Sequence, residues 1–449
     1  MFMLFYIISM EFIKRLIPSS ILKFVRPYYH GFLAIAANLY FSRPSEKLTV
    51  IGVTGTAGKS TTVQMLSKIL NNDAKKTGFI TTVSFFDGEK EFVNKHGMSM
   101  PGGWLLQKQL KLMVNNGCKY AVVECTSEGL AQNRHLGINF QLAIFTNLSK
   151  AHLDAHGGFE NYRLAKAKLF KLAKSVLVNS DDENAGYFFS ASFGRKFSAG
   201  FRGSDLVCEK KYFAQKTQNG FSLEQVAFTV SLPGKFNHYN ALMAAAAAKI
   251  LGVSFLSSQK TIQEFTKIRG RMETVENDLG IKILVDYACE PAAMKAALEA
   301  VQEMPHNRII HVFGSTGGHR DIQKRFEFGK ISAQASDIIL ITNDDVYNSD
   351  PEKIAEDIEQ GIGQVESKKS KVKSVVRHLD RRYAISEALK MAKKDDIVLI
   401  TGKGSERFLV LPGNKRIDWN ETEVVWEEAN KLSPSYWEDV AKHHEASLN

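Results

Sequence analysis

The run Val50-Ile51-Gly52-Val53-Thr54-Gly55-Thr56-Ala57-Gly58-Lys59-Ser60-Thr61-Thr62 constrains this chain more than any other. Its first part, from Leu48 to Val53, is apolar and β-branched, the pattern of a buried strand. A loop with two glycines follows, and Ser60 to Leu66 opens an amphipathic helix. Strand, glycine loop and helix in that order make a cradle for phosphate. Glycines let backbone N–H groups approach anionic oxygens, and the helix N-terminus adds a favourable dipole. Lys59 is placed to reach the terminal phosphates, and the Ser60 hydroxyl to ligate Mg²⁺. The strict Walker spacing is not met, because Val53 stands where its first glycine belongs. The loop has the shorter form Gly-Thr-x-Gly-Lys-Ser-Thr.

Strand and helix signals alternate from Leu48 onward. Apolar strand candidates are Leu48–Val53, Tyr120–Glu124, Leu142–Thr146 and Val176–Asn179, with helices between them such as Trp104–Asn115 and Asn161–Ala173. Gly194 to Gln225 reads as a β-rich excursion, and Asn240 to Leu251 as an alanine-rich helix. A second α/β unit starts near Arg269, with strands expected at Ile281–Asp286, Arg308–Phe313, Ile338–Thr342 and Ile397–Thr401. Each ends in a polar or glycine-rich loop, and open parallel sheets bind ligands at the carboxyl ends of their strands. The expectation is an α/β protein: a central P-loop ATPase-type domain with a parallel sheet, then a Rossmann-like C-terminal α/β domain, preceded by a short helical segment. The boundaries are set at 1–47, 48–266 and 267–449.

At 449 residues, with net charge +10, the chain has room for two or three domains and an affinity for anions. The positive charge is spread out, and no nucleic-acid module is recognisable. Cys118, Cys125, Cys208 and Cys289 form neither a CxxC pair nor a disulfide framework, as expected of reduced thiols in the cytoplasm. The apolar run Met1 to Met10 is ended by Glu11, Lys14 and Arg15, too soon to span a bilayer. Phe12 to Tyr40 carries apolar residues at helical spacing with Lys14, Arg15, Lys23 and Arg26 interleaved. Two readings stand for it: a helical hairpin packed on the next domain, or a basic amphipathic element lying peripherally on the inner face of the cytoplasmic membrane.

Further groups could converge on the phosphate loop. Glu124 ends a strand at a position that commonly supplies a Mg²⁺ ligand. The segment Thr146 to Gly157 places His152, Asp154 and His156 in a loop after a strand. Lys166 lies at the centre of the helix that follows, beside an apolar stripe.

These residues resemble the Mur ligase family, ATP-dependent amino-acid ligases of peptidoglycan precursor synthesis, in its tripeptide-synthetase branch. The similarity runs from about Leu48 to about Arg407. Gly55 to Thr61 matches the phosphate loop. Glu124-Cys125-Thr126-Ser127-Glu128-Gly129-Leu130 and Thr146-Asn147-Leu148 with His152-Leu153-Asp154 match internal segments. Tyr162 with Ala165-Lys166 matches the helix that bears a carbamylated lysine. Gly234-Lys235-Phe236-Asn237 with Asn240, Gly270-Arg271-Met272-Glu273, Val285-Asp286-Tyr287-Ala288 and Gly402-Lys403-Gly404-x-Glu406 match the rest. The resemblance implies ATP and Mg²⁺ as cofactors, with Lys59, His152 and Lys166 as catalytic residues. Gly55, Thr56, Gly58, Lys59, Ser60 and Thr61 would cradle phosphate, and Asn240, Arg271 and Asp286 would contact the nucleotide. Ser60 and Glu124 would hold one metal ion, His152 and carbamylated Lys166 another. Ser99, Thr126, Gln132 and Arg134 would face a muramoyl-peptide, while Arg325, Asp344, Asp345, Gly402 and Glu406 would take a free amino acid.

The sequence departs from the family where substrates are recognised. The family's uridine-binding N-terminal domain is about twice as long as the segment here, so the acceptor carries either UDP or a lipid handle. Ser99-Met100-Pro101-Gly102 replaces Thr-Thr-Pro-Glu, Glu128 and Ser405 replace histidines, and Ala151 replaces an aspartate. Asp344-Asp345-Val346-Tyr347 replaces Asp-Asn-Pro-Arg, whose arginine grips the distal carboxylate of diaminopimelate. Tyrosine cannot make that charge-assisted pair, so the expectation is lysine or another residue lacking a distal carboxylate. Two competing readings are a folylpolyglutamate or poly-amino-acid ligase, and an inactive membrane-associated nucleotide-binding protein. Keeping Lys59, Glu124, His152 and Lys166 together argues against the inactive one.

Overall fold

A computed structural model describes residues 19–94, 97–149, 156–318 and 322–433. It divides into two compact units: Met1–Phe92, Met98–Phe213 and Met243–Ser257 form the first, and Val93–Gly97, Ala214–Leu242 and Ser258–Asn449 the second.

The first unit begins with α1 (Ser19–Tyr40). Then come β1 (Thr49–Thr54), α2 (Lys59–Asn72), β2 (Thr77–Ile80), β3 (Ser84–Phe86), β4 (Glu91–Val93), α3 (Gly103–Asn115), β5 (Tyr120–Glu124) and the short α4 (Ser127–Ala131). The run continues through β6 (Phe140–Phe145), α5 (Phe159–Leu172), β7 (Ser175–Asn179), α6 (Ala185–Ser190) and β8 (Arg195–Gly200) into β9 (Lys210–Thr217). The central order is β8-β7-β6-β1-β5-β2-β3. From β2 to β8 these strands pair in parallel. β1, β5 and β6 are buried almost end to end, which is why their sequences read as unbroken apolar runs. One glycine sets the depth of the layer over them. A Cβ on Gly52 would stand 2.7 Å from Leu169 Cδ1, so α5 lies down on β1 only because Gly52 has no side chain. Lys166, one turn before Leu169, is thereby carried to the end of β1.

From Ser19 to Tyr40 the N-terminal segment is a helix, while the earlier part of the hairpin read from sequence, before Ser19, lies outside the described residues. The helix packs a face of small residues, Gly31, Ala34 and Ala37, against the unit. A Cβ on Gly103 of α3 would lie 2.5 Å from the Ala34 Cβ, so these helices meet almost backbone to backbone.

In the second unit, Ala214–Thr217 of β9, β10 (Gly220–Leu223) and β11 (Val226–Thr229) make an antiparallel meander. Two helices follow, α7 (Phe236–Ile250, which crosses between the units in sequence) and α8 (Phe255–Gln263). Next come β12 (Glu273–Val275), β13 (Lys282–Asp286), α9 (Pro291–Gln302), β14 (Ile309–Phe313), α10 (Gln323–Ala335), β15 (Ile338–Ile341), α11 (Pro351–Gly363) and β16 (Ser374–Arg377). The chain closes with α12 (Arg381–Met391), β17 (Ile397–Thr401), the hairpin β18 (Phe408–Leu411) and β19 (Lys415–Asp418), and α13 (Glu421–Asn430). Strand order is β12-β13-β17-β14-β15-β16, parallel except for β12. The mostly parallel sheet expected from the alternating pattern is therefore present in both units.

Two buried histidines tie stability to pH. His311 on β14 is fully buried between the hydroxyls of Ser332 (2.8 Å) and Thr401 (3.0 Å), and burial pushes its pKa down to about 3. His135 is pushed down to about 4, also by burial. In the unfolded chain both would titrate near 6.5. The unfolded state thus binds more protons below that value, and stability falls as pH drops from about 6.5 towards 4. We expect the denaturant midpoint to decline over that window, by a few kcal/mol in stability. His311→Gln should decline less steeply; an unchanged slope would show that His311 is not the group responsible.

Candidate active site

The phosphate loop is held from behind by the end of β6. The Thr56 N–H donates to the Asn147 carbonyl (2.9 Å) and the Ala57 N–H to Asn147 Oδ1 (2.9 Å). Asn147 Nδ2 returns a bond to the Ala57 carbonyl (3.1 Å), which also accepts from the Thr146 hydroxyl (2.7 Å). Gly55 has φ +154° and Gly58 φ +80°, and a Cβ on Gly55 would strike Thr146 Oγ1 at 1.9 Å. The loop is thus pre-shaped, and the first N–H groups of α2, which lack carbonyl partners within the helix, open onto it.

Charged groups gather at its floor. Lys59 begins α2, donates to the Thr56 carbonyl (2.8 Å) and lies 4.0 Å from Glu124. The Ser60 hydroxyl donates to Glu124 Oε2 (2.7 Å). Glu124, buried at the end of β5, also accepts from the Thr82 N–H (3.0 Å) and hydroxyl (3.0 Å), and Thr82 in turn bonds Ser99. A carboxylate joined to a hydroxyl in a buried polar pocket is a donor set suited to a hard divalent cation. Lys166 is buried as well, and its ammonium donates to the Gly55 carbonyl (2.8 Å). Burial first, and then the like charge of Lys59, hold its pKa well below the ordinary lysine value. Tyr162 bridges the same groups: its hydroxyl bonds Thr56 Oγ1 (2.9 Å) and its ring lies 4.6 Å from Lys166 Nζ. His156 bonds Ser127 (3.0 Å), and its pKa is lowered by burial and by Lys166.

Around α4 stand the residues expected to meet the acceptor. Thr126 caps the helix, accepting from the Gly129 N–H (3.2 Å). Gln132 joins Glu128 (2.8 Å) to Arg134 (2.8 and 3.1 Å), and Arg134 also donates to the Met100 carbonyl (2.7 Å). Segment 98–102 and α4 are therefore connected through Arg134.

In the second unit the loops at the carboxyl ends of β13, β15 and β17 meet. Asp286 accepts from the N–H groups of Met272 (2.7 Å) and Ala288 (2.8 Å), and burial raises its pKa although Arg271 opposes this. The Arg271 guanidinium lies over the Tyr287 ring (4.4 Å). Asn240 bonds Asn237 (2.8 Å). Lys403 is the hub of an acidic cluster, donating to Asp345 (2.8 Å) and Glu406 (2.5 Å) with Asp344 at 3.8 Å. Burial disfavours its charge, yet Asp344, Glu406 and Asp345 together hold its pKa above the usual lysine value. A Cβ on Gly402, at φ +115°, would meet Asp344 Oδ2 at 2.6 Å. Arg325 is buried in α10, and its guanidinium is committed to Asp357 of α11 (2.9 Å).

The structure brings Gly55, Thr56, Lys59, Ser60, Glu124 and Lys166 together, and separately Asp344, Asp345, Gly402 and Glu406. His152 lies outside the described residues. Several participants carried no usable sequence signal. Thr82, which orients Glu124, is one threonine among many. Arg381 donates to the carbonyls of Asn343 (3.1 Å) and Thr401 (2.8 Å), pinning the ends of β15 and β17, and is paired with Glu421, forty positions on. Asn147 and Tyr162, by contrast, were visible inside matched motifs.

Residues 53–248 match the Mur ligase middle domain and residues 270–404 the Mur ligase glutamate ligase domain. UDP-N-acetylmuramoyl-L-alanyl-D-glutamate–2,6-diaminopimelate ligase of Clostridioides difficile is 37% identical over 410 residues, covering 89% of this chain and 82% of that protein. The enzyme of the same name from Gloeobacter violaceus is 36% identical over 410 residues, covering 89% and 81%. A solved structure of such a diaminopimelate ligase superposes with TM-score 0.59 at 25% identity, covering 91% of this chain and 83% of that one. Mycobacterium tuberculosis folylpolyglutamate synthase reaches TM-score 0.62 at 16% identity, covering 83% and 92%, a likeness of fold.

Proposed function

This chain belongs to the Mur ligase family, and from that premise we propose that it is an ATP-dependent acid–amino-acid ligase extending a muramoyl-peptide precursor of the cell wall. The observation that carries the reading is the cluster of Lys59, Ser60, Glu124 and Lys166 at the floor of the phosphate loop, where Lys59 bonds the Thr56 carbonyl, Lys166 the Gly55 carbonyl and Ser60 the Glu124 carboxylate. In domain terms, 48–266 binds the nucleotide phosphates and 267–449 is the ligase domain.

Amide formation in water is uphill, so the acid is activated first. The γ-phosphoryl group of ATP passes to the acceptor carboxylate, giving an acyl phosphate and ADP. The amine of the incoming amino acid attacks that carbonyl carbon, and the tetrahedral intermediate expels orthophosphate. The protein's work is to align anions that repel one another. The glycine loop and the α2 N-terminus hold the phosphates, and Lys59 neutralises charge on the group in transfer. Ser60 and Glu124 are the residues that would hold Mg²⁺, joined by His152 and Lys166 for a second ion; bound there, the metal supplies charge neutralisation on the phosphate oxygens. Lys166 serves in its carbamylated form, for which a buried amine of lowered pKa is suited. Asn240, Arg271 and Asp286 contact the nucleotide. Ser99, Thr126, Gln132 and Arg134 face the muramoyl-peptide, linked to UDP or to lipid. Residues 1–40 bring the enzyme into peripheral contact with the inner face of the cytoplasmic membrane.

The amino acid meets the acidic rim. Asp344, Asp345 and Glu406 surround one ammonium, that of Lys403, and Tyr347 stands in place of a carboxylate-gripping arginine. A distal carboxylate there would face like charge, at a cost of a few kcal/mol. Although its relatives are named diaminopimelate ligases, this chain is expected to prefer lysine or another amino acid lacking a distal carboxylate. Phosphate release should be measured with lysine and meso-diaminopimelate in competition, on UDP-linked and lipid-linked acceptors. A clear preference for diaminopimelate overturns the reading of the rim; no amino-acid-dependent phosphate release on either acceptor overturns the ligase.

A further inference from the structure

α1 is turned inside out relative to an ordinary amphipathic helix. Gly31, Ala34 and Ala37 face the protein, while Val25, Tyr28, Phe32, Ile35 and Leu39 lie 47–71% exposed. Their spacing of three and four residues makes one continuous stripe along the helix. The stripe cannot roll inward. Gly103 meets Ala34, a Cβ on Gly31 would stand 3.2 Å from Leu136 Cδ1, and one on Gly137 would stand 2.7 Å from Asn38 Cβ, so larger side chains have no room on the buried side. At the end of the helix Tyr40 stacks near Trp104 of α3 (5.2 Å between ring centroids), and both are exposed.

We propose that this stripe is the face through which the protein lies on an anionic lipid surface, with Phe32, Ile35 and Leu39 entering the acyl boundary. This rests on the membrane reading above and names the surface that performs it. Charge and composition select lipid over other occupants. Residues 1–45 carry Lys14, Arg15, Lys23, Arg26 and Arg43 against Glu11 alone, the balance that draws a segment to acidic headgroups. Tyr28, Tyr40 and Trp104 are the amphipathic aromatics that settle at headgroup depth. Met1 to Met10 is itself almost wholly apolar in sequence, so a lipid surface that takes up the stripe suits that segment as well. Among the described residues no helix is long and apolar enough to cross a membrane, so the contact is one of lying on the surface.

The test uses the full chain and vesicles of phosphatidylcholine, with or without an equal part of phosphatidylglycerol. Wild type should sediment with the anionic vesicles. Phe32→Glu/Ile35→Glu should weaken that binding roughly a hundredfold or more, with the melting temperature and the ligase rate on a soluble acceptor unchanged. Equal binding of wild type and variant would overturn the stripe as the contact while leaving membrane association standing. Failure of wild type to bind anionic vesicles would overturn both. A drop in oligomeric mass in the variant, with vesicle binding unaltered, would assign the stripe to a second copy of the chain and overturn the proposal.

Discussion

Lys59→Ala is expected to lower ATP-dependent phosphate release by at least about a hundredfold in a protein that still folds. Removing a charge partner of the transition state costs on the order of 3 kcal/mol or more. The fold should survive because the loop does not depend on this side chain. Asn147 and Thr146 make the bonds that fix Thr56 and Ala57, and Ser60 and Thr82 still satisfy Glu124. The losses include the bond to the Thr56 carbonyl and a distant pair with Glu124 at 4.0 Å. Phosphate release and a thermal melt on the same preparation check both halves. Near wild-type turnover in the folded variant would show that the loop does not serve phosphoryl transfer.

Parallel strands were the legible part of this chain. Tyr120–Glu124 and Ile397–Thr401 form with the limits read from sequence, because a strand covered on both faces is an apolar run bounded by polar residues. The phosphate loop was legible for a related reason, since its glycines are demanded by local geometry. Long-range placement was not. A lysine in a helix reads as a solvated charge, and only the approach of Leu169 to Gly52 shows that Lys166 is buried. Arg325 was expected from the resemblance to take the amino acid, and its pairing with Asp357 depends on how α10 packs on α11. α1 misleads for a physical reason: hydropathy selects the large apolar residues as the buried face. Here close helix packing against Gly103 selects the small ones and leaves Phe32 and Ile35 outside.

Lys166→Ala is expected to reduce ligation as severely as Lys59→Ala, and to be partly rescued by added acetate or formate. An ammonium at this position would sit beside Lys59 in a buried site, where like charge and desolvation both oppose it. The neutral amine that results can attack CO2: a new N–C bond forms, a proton leaves to solvent, and the product is an anionic carbamate. The cation–cation conflict becomes an attraction, and the oxygens gained are the kind a hard divalent cation takes. Alanine removes these oxygens, and a small carboxylate diffusing into the space would restore part of their function. Two readouts separate this from a merely structural lysine. Wild type labelled with ¹³C-bicarbonate should show a carbamate carbon resonance absent from Lys166→Ala, and wild-type activity should fall when CO2 is stripped and return when bicarbonate is added. Activity indifferent to bicarbonate, together with a variant that carboxylates do not rescue, would leave Lys166 as a loop-bracing cation on the Gly55 carbonyl and remove it from the metal-binding set.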